Sequence, residues 1–116
     1  MINRGAVILR YRELAVRWIN EADPYVDHPG ITLDSVNHER TVYLISDRHT
    51  ASLSTMRRWV RRNYRQLFEA ELEGWYTDPE LWPQERTYEL FQAWFDVECH
   101  SVVVDTARGA IDDEPC

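Results

Sequence analysis

The sequence contains no lysine, because all 13 of its basic residues are arginine. This absence excludes chemistry that needs a lysine side chain, such as a Schiff base, a Ser–Lys dyad or the lysine of a phosphate-binding loop. Glycine is also scarce, and its four positions lie far apart, at Gly5, Gly30, Gly74 and Gly109. That spacing excludes a glycine-rich phosphate loop, a dinucleotide-binding fingerprint and a nucleophile elbow.

Cysteine and long apolar runs are the other two shortages. Cys99 and Cys116 are the only cysteines, which is too few for a disulfide framework in 116 residues. No apolar run approaches the roughly 20 residues that span a bilayer, and no signal peptide is visible. We therefore predict a cytoplasmic protein with free thiols. Cys99 and His100 are not expected to form a catalytic pair, because neighbours in a strand point to opposite faces.

The residues that are present indicate a folded domain. Hydrophobic residues make up 44% of the chain and include five Trp, six Tyr and three Phe, a composition typical of globular proteins. In the long helix that we predict at 54–73, Ser54 is the expected cap and Gly74 the residue that ends it. The other predicted elements are strands at 6–9, 40–46 and 100–106, a helix at 13–22 and a helix that Thr87 caps, with one helical turn at 33–36 capped by Thr32.

These elements predict a small α+β fold. About three strands, in a mostly antiparallel sheet, are expected to pack against the long amphipathic helix and two shorter helices. The predicted single domain covers residues 1–107, and residues 108–116 are expected to form a flexible acidic C-terminal tail. The apolar residues at the start of the long helix suit an internal core or a dimer seam equally well, so monomer and homodimer both stay open.

Charge is segregated along the chain. The formal net charge is −7, yet residues 48–65 hold six Arg and no acid, while the remainder holds seven Arg against 20 acids, a balance of −13. Cations near a helix N-terminus oppose the helix dipole at a cost of roughly 0.3–1 kcal/mol each, so we expect another interaction to offset it. Five of the arginines crowd the first turns of the long helix: Arg57, Arg58, Arg61, Arg62 and Arg65.

Three explanations for these arginines stay open. Carboxylates of the same chain could pair with them internally. An acidic partner protein could bind them. Nucleic acid or another polyanion could lie along the stripe, since Arg57, Arg61 and Arg65 share one helix face. A pI of about 5.0 and the lack of a known nucleic-acid-binding motif count against this third explanation.

A second set of candidate surface residues lies between positions 71 and 96, where aromatic and acidic residues are dense. Trp, Tyr and Arg dominate binding hot spots, although Trp and Tyr serve equally well to enlarge the core of a small domain. Asp78 is predicted to bond nearby backbone amides, and Arg86 to pair with Asp78 or Asp96. The candidates are Trp75, Tyr76, Asp78, Trp82 and Arg86.

Three short motifs occur in the same third of the chain. They are Trp75-Tyr76-Thr77-Asp78 with Leu81-Trp82-Pro83 and Arg86, then Phe91 with Trp94-Phe95-Asp96, then His100-Ser101 with Val103 and Asp105. In these motifs the chain resembles a small family of uncharacterised bacterial proteins with the pattern WYTDxxLWPxxR, FxxWFD and HSxVxD. The resemblance implies a shared compact domain, and it brings no activity, ligand or site residue with it.

The most enzyme-like group is a weak candidate polar cluster of Asp96, His100 and Asp105. A histidine bonded to a carboxylate is more often structural than catalytic, so we predict no catalytic residue. The other three histidines lie ten and eleven residues apart along the chain. This spacing fits no usual zinc arrangement, and we expect neither a metal nor a cofactor.

The leading prediction is therefore a non-catalytic, cytosolic protein-binding module that acts as an adaptor, regulator or inhibitor of another protein. The alternative is nucleic-acid or other polyanion binding through the Arg stripe of helix 54–73. A third hypothesis is a small hydrolase or transferase built around His100. The expected partner is another protein, with nucleic acid less favoured and no membrane partner expected.

Overall fold

The structure, a computed structural model, describes residues 2–23 and 30–109. Of the tail predicted at 108–116, residues 110–116 lie outside the described residues. The α+β class and the antiparallel sheet are confirmed, and none of the helices in these two ranges is long and apolar enough to cross a membrane. The elements are β1 (Arg4–Tyr11), α1 (Glu13–Glu21), α2 (Leu33–Val36), β2 (Val42–Ser46), α3 (Leu53–Trp75), α4 (Tyr88–Trp94) and β3 (Phe95–His100), with 3-10 turns at Asp47–His49 and Pro79–Leu81.

β1 is the central strand of the sheet, with β2 and β3 antiparallel on either side of it. Its alternate residues Val7, Leu9 and Tyr11 are buried in the core, as the two-residue period of a strand requires. The other face of the sheet is open to solvent at β2, where Val42 and Leu44 are 52% and 47% exposed. The helices therefore cover one face of the sheet much more fully than the other.

α3 is the longest helix, and it buries one apolar stripe. The stripe follows the helical spacing of three, four and seven residues that amphipathic helices show. Met56 and Phe68 are fully buried, and each such side chain contributes about 1.5–3 kcal/mol by leaving water. Met56 and Val60 lie in the core of the domain itself, so at these positions the helix does not form a dimer seam. The buried stripe consists of Met56, Val60, Leu67, Phe68 and Leu72.

The two ends of α3 differ from the prediction. Ser52 rather than Ser54 is the cap, since its side chain accepts a hydrogen bond from the Thr55 N–H at 3.1 Å. The prediction that Gly74 ends the helix is also wrong, because the helix continues through Trp75. The indole N–H of Trp75 donates to the hydroxyl of a core tyrosine of β1 at 2.9 Å. This long-range contact holds the last turn helical beyond the glycine.

The two short helices begin where the sequence predicts. Thr87 accepts a hydrogen bond from the Leu90 N–H at 3.2 Å and so caps α4. Thr32 and Ser35 exchange side-chain-to-backbone bonds of 3.0 Å in a capping box at the start of α2. Each of these caps involves a single turn of chain, which is why neighbouring residues are sufficient to predict it.

The third strand lies earlier in the chain than predicted, so the prediction at 100–106 is wrong. The N–H of Arg12 donates to the Trp94 carbonyl at 2.8 Å, and pairing with β1 therefore starts as soon as α4 ends. Val102 and Val104, which suggested the later strand, are 66% and 60% exposed. β-branched residues favour a strand only where they have a surface to pack against.

A single carboxylate joins the sheet to α3. One oxygen of Glu71 accepts a hydrogen bond from the Tyr11 hydroxyl at 2.8 Å, and the other accepts from the Tyr43 hydroxyl. Burial, and then the negative charge of Glu71 with its hydrogen bond, raise the pKa of both tyrosines above its ordinary value. The central strand and one edge strand are thus tied to the helix through the same side chain.

Glu71→Ala is expected to destabilise the protein by about 2–3 kcal/mol, because it leaves the hydroxyls of Tyr11 and Tyr43 without their acceptor. Urea unfolding followed by circular dichroism measures the change. The control is Glu73→Ala, which removes an exposed carboxylate from the same turn and should change the free energy of unfolding by less than about 0.5 kcal/mol. Equal effects of the two substitutions would show that the tyrosine contacts do not matter.

Stability is also expected to fall steeply above pH 10. Tyr11 and Tyr43 have an ordinary pKa of 10.0 and a higher pKa in the folded state, so the unfolded chain loses these protons first. Their contribution is complete well below pH 10 and declines above it, by at most about 2.7 kcal/mol per pH unit while both hydroxyls stay protonated in the fold. Thermal midpoints between pH 8 and 11 test this expectation. The double variant Tyr11→Phe, Tyr43→Phe should show a shallower decline, and an unchanged slope would contradict the assignment.

Candidate functional site

The arginine cluster, defined as Arg57, Arg58, Arg61, Arg62 and Arg65, lies on the solvent-facing side of α3. All five residues are exposed. Their position follows from the buried stripe, because residues one and two places after Met56 and Val60, and Arg65 two places before Leu67, turn away from the sheet. The structure therefore places the five guanidinium groups within the first four turns of one helix.

The arginine cluster forms no ion pair within residues 2–23 and 30–109. In the cluster, the Arg61 guanidinium lies over the Tyr88 ring, 5.2 Å from its centroid. Internal pairing, the first of the three explanations, thus finds no support in the described chain. The ion pairs that do form there join Arg40 to Glu98 at 2.8 Å and Arg86 to Glu69 at 3.4 Å, and the His100 imidazole lies 3.8 Å from the Glu98 carboxylate.

A groove of about 360 Å³ adjoins the arginine cluster, between α3, α4 and β3. Buried Val60 contributes an apolar part of its wall, and the exposed residues Arg12 and Arg57 contribute positive charge. Tyr88, the ring beneath Arg61, also lines the groove. Asp96 is the one acid among its lining residues. The groove therefore combines apolar surface with a surplus of positive charge.

The aromatic residues of the second candidate set are tied into the domain. The Trp82 indole N–H donates to the Tyr76 carbonyl at 2.7 Å, and the Tyr76 hydroxyl donates to the Ile19 carbonyl of α1. Burial, and then the nearby charge of Asp23, raise the pKa of Tyr76 above its ordinary value. The indole N–H of Trp18 in α1 donates to the Leu81 carbonyl of this segment at 2.9 Å. These hydrogen bonds hold the segment against α1, so its aromatic residues have a structural role.

The remaining members of that set also make local contacts. Asp78 accepts a hydrogen bond from the Glu80 N–H at 3.0 Å, as predicted for a turn that begins at this aspartate. The prediction that Arg86 pairs with Asp78 or Asp96 is wrong, because its partner is Glu69 of α3. Trp75 is 37% exposed, with its N–H bonded inside the domain. The arginine cluster is accordingly the stronger candidate surface.

The polar cluster of Asp96, His100 and Asp105 is not assembled in the structure. Asp96 and His100 are four residues apart on one extended strand, which separates them by about 13 Å. Asp105 lies beyond the strand, where its carboxylate accepts the N–H of Ala107 at 2.8 Å. Nor do the two described ranges contain a group of three or more His, Cys, Asp or Glu residues that could hold a metal ion.

Cys99 points to the other side of β3 from His100, as the alternation of a strand requires. Burial raises the pKa of the Cys99 thiol above its ordinary value, and the positive charge of Arg57 opposes this effect. The thiol is therefore protonated at neutral pH and lacks the thiolate character that a nucleophile needs.

The sequence did not indicate two residues of the groove, Arg12 and Tyr88. Each lies on a different element from the arginine cluster, and apolar spacing carries no information about which elements become neighbours. The hydrogen bond from Arg12 to the Gln92 carbonyl, at 2.9 Å, exists only because the end of β1 meets α4. Tyr88 reaches Arg61 only because α4 packs on α3.

Comparison of the chain with protein-family models, with curated proteins and with solved structures finds no match. The motif resemblance stays a prediction. Function has to be inferred from the arginine cluster and the groove beside it.

Proposed function

We propose that this chain is a non-catalytic protein-binding module that recognises an acidic partner through the arginine cluster. The supporting observation is that five exposed arginines on one helix form no ion pair among residues 2–23 and 30–109. Guanidinium groups bind carboxylates in a two-point geometry. Because the five like charges lie within about 12 Å along one helix, an acidic ligand also relieves their mutual repulsion.

The charges around the cluster favour a short acidic segment over a long polyanion. From Arg57 to Arg65 the helix rises about 12 Å. Further along the same helix stand Glu69 and Glu73, and Asp96 lines the groove. A nucleic-acid backbone that extended past the cluster would meet these carboxylates. The net charge of −7 adds long-range repulsion of a nucleic acid.

The triple substitution Arg57→Glu, Arg61→Glu, Arg65→Glu is expected to weaken binding to a fluorescein-labelled eight-residue polyglutamate peptide by at least about tenfold. Each substitution removes a charge-assisted contact and introduces repulsion. Fluorescence anisotropy at low salt measures the affinity. The variant should keep its fold and melt within about 4 °C of the unaltered protein, because the three side chains are exposed and form no ion pair among the described residues.

The control is a second triple substitution to Glu at Arg4, Arg10 and Arg17, which are exposed and lie outside the cluster. It makes the same change in net charge and should keep the affinity within about threefold. Failure of the unaltered protein to bind polyglutamate, or tighter binding of an oligonucleotide of equal charge, would overturn the proposal. Unfolding of the first variant would instead show that the arginines are paired internally.

A further inference from the structure

The outer edge of β3 carries backbone groups that point away from the sheet. The strand order β2-β1-β3 gives β3 a single neighbour. The N–H of Arg12 donates to the Trp94 carbonyl, one pair before the β1–β3 register begins. Because hydrogen-bonded and non-hydrogen-bonded pairs alternate in an antiparallel ladder, the N–H and C=O groups of Val97 and Cys99 face outward.

These outward groups have no hydrogen-bond partner elsewhere in the described chain. The N–H of Phe95 is used, since it closes α4 by donating to the Phe91 carbonyl. The open positions are therefore the Phe95 carbonyl and both backbone groups of Val97 and Cys99. An open strand edge of this kind is a template for pairing with another extended segment.

The groove and the arginine cluster lie beside this edge. The lining of the groove includes Phe95 and Val97 of β3 together with Arg57 of α3. Arg57 is also close enough to Cys99 for its charge to act on the thiol. A segment that pairs with this edge would therefore pass close to Arg57, which lies on the side of the sheet that α3 covers.

The edge of β2 has the same open geometry without this charge. Alternation along the β1–β2 ladder directs the free backbone groups of Val42, Leu44 and Ser46 outward. β2 itself contains no charged residue. Its contact with α3 at Glu71 lies about 20 Å along the helix from Arg57. The β3 edge therefore suits an acidic ligand, whereas β2 itself offers no positive charge to attract one.

We propose that the acidic partner binds as a fourth strand added to the outer edge of β3. This inference rests on the proposed function and specifies the form of the ligand, an extended segment in which acidic and uncharged residues alternate. Side chains on one face of the added strand meet Arg57 and Arg61. Those on the other face lie beside Asp96 and Glu98, where a further acid is repelled and an uncharged residue is accepted.

The test compares two labelled seven-residue peptides of equal charge. One alternates Glu with Val, and the other has the same sequence with every backbone N–H methylated, which removes all the donors that could pair with the edge and prevents strand pairing. The first peptide is expected to bind at least about tenfold more tightly, the gain from two net backbone hydrogen bonds. It should also slow hydrogen exchange at the amides of Val97 and Cys99, measured by NMR, and leave those of Val42 and Leu44 unchanged.

Val97→Pro is the matching change in the protein. Its N–H faces outward, so the substitution removes no hydrogen bond to β1 while blocking the added strand. Binding of the Glu–Val peptide is expected to fall at least about tenfold. Leu44→Pro makes the same change at an outward N–H of the β2 edge and should leave binding unaltered. The exchange measurement on the unaltered protein decides the question if Val97→Pro does not fold.

The outcomes separate this inference from the proposed function. Equal binding of the two peptides without amide protection at β3 overturns strand addition and leaves recognition by the arginine cluster intact. Protection at Val42 and Leu44 instead overturns the choice of edge. If neither peptide binds while polyglutamate does, strand addition fails and the proposed function stands. If polyglutamate does not bind either, both fail.

Discussion

Burial of the apolar stripe of α3 against the sheet sets the orientation of every other side chain on that helix. Once Met56, Val60 and Phe68 occupy the core, the 3.6-residue period commits the positions between them to solvent. The arginine cluster occupies those positions near the start of the helix. Near the end of the helix, the same packing brings Glu71 within hydrogen-bond distance of Tyr11 and Tyr43. These hydrogen bonds add to the apolar contacts that hold α3 on the sheet. The buried core positions and the exposed arginine cluster therefore both follow from the way α3 is rotated about its axis.

The one-sided arrangement of helices explains why the sheet keeps two open edges and why those edges differ. Both β2 and β3 have a single neighbour, β1, and both direct alternate backbone groups outward. The groove that contains Arg12 and Arg57 runs beside β3, whereas β2 is uncharged and carries exposed Val42 and Leu44. The net charge of −7 conceals this contrast, because a local positive field can exist within an acidic molecule when the two signs occupy different elements.

The sequence predicted the fold most accurately where an element is determined by contacts between residues that are close together in the chain. The caps at Thr32 and Thr87 were correct because each closes a single turn. The predicted end of α3 at Gly74 was wrong because the Trp75 indole is held by β1. The third strand was misplaced because pairing with β1, rather than the β propensity of Val102 and Val104, decides where it lies. In the candidate site, the stripe of arginines was predictable, whereas Arg12 and Tyr88 depend on contacts between different elements.

Residue order and composition are enough to predict that α3 is amphipathic, that five arginines share its polar side, and that lysine chemistry is excluded. These properties depend on composition and on residues three or four places apart. The folded domain was needed to learn that the cluster is unpaired within the described residues, that Trp82 and Tyr76 bond inside the domain, and that the cluster lies beside an open strand edge. Helical phase is a local property, whereas ion pairing, burial and strand pairing require residues that are distant in the chain to meet.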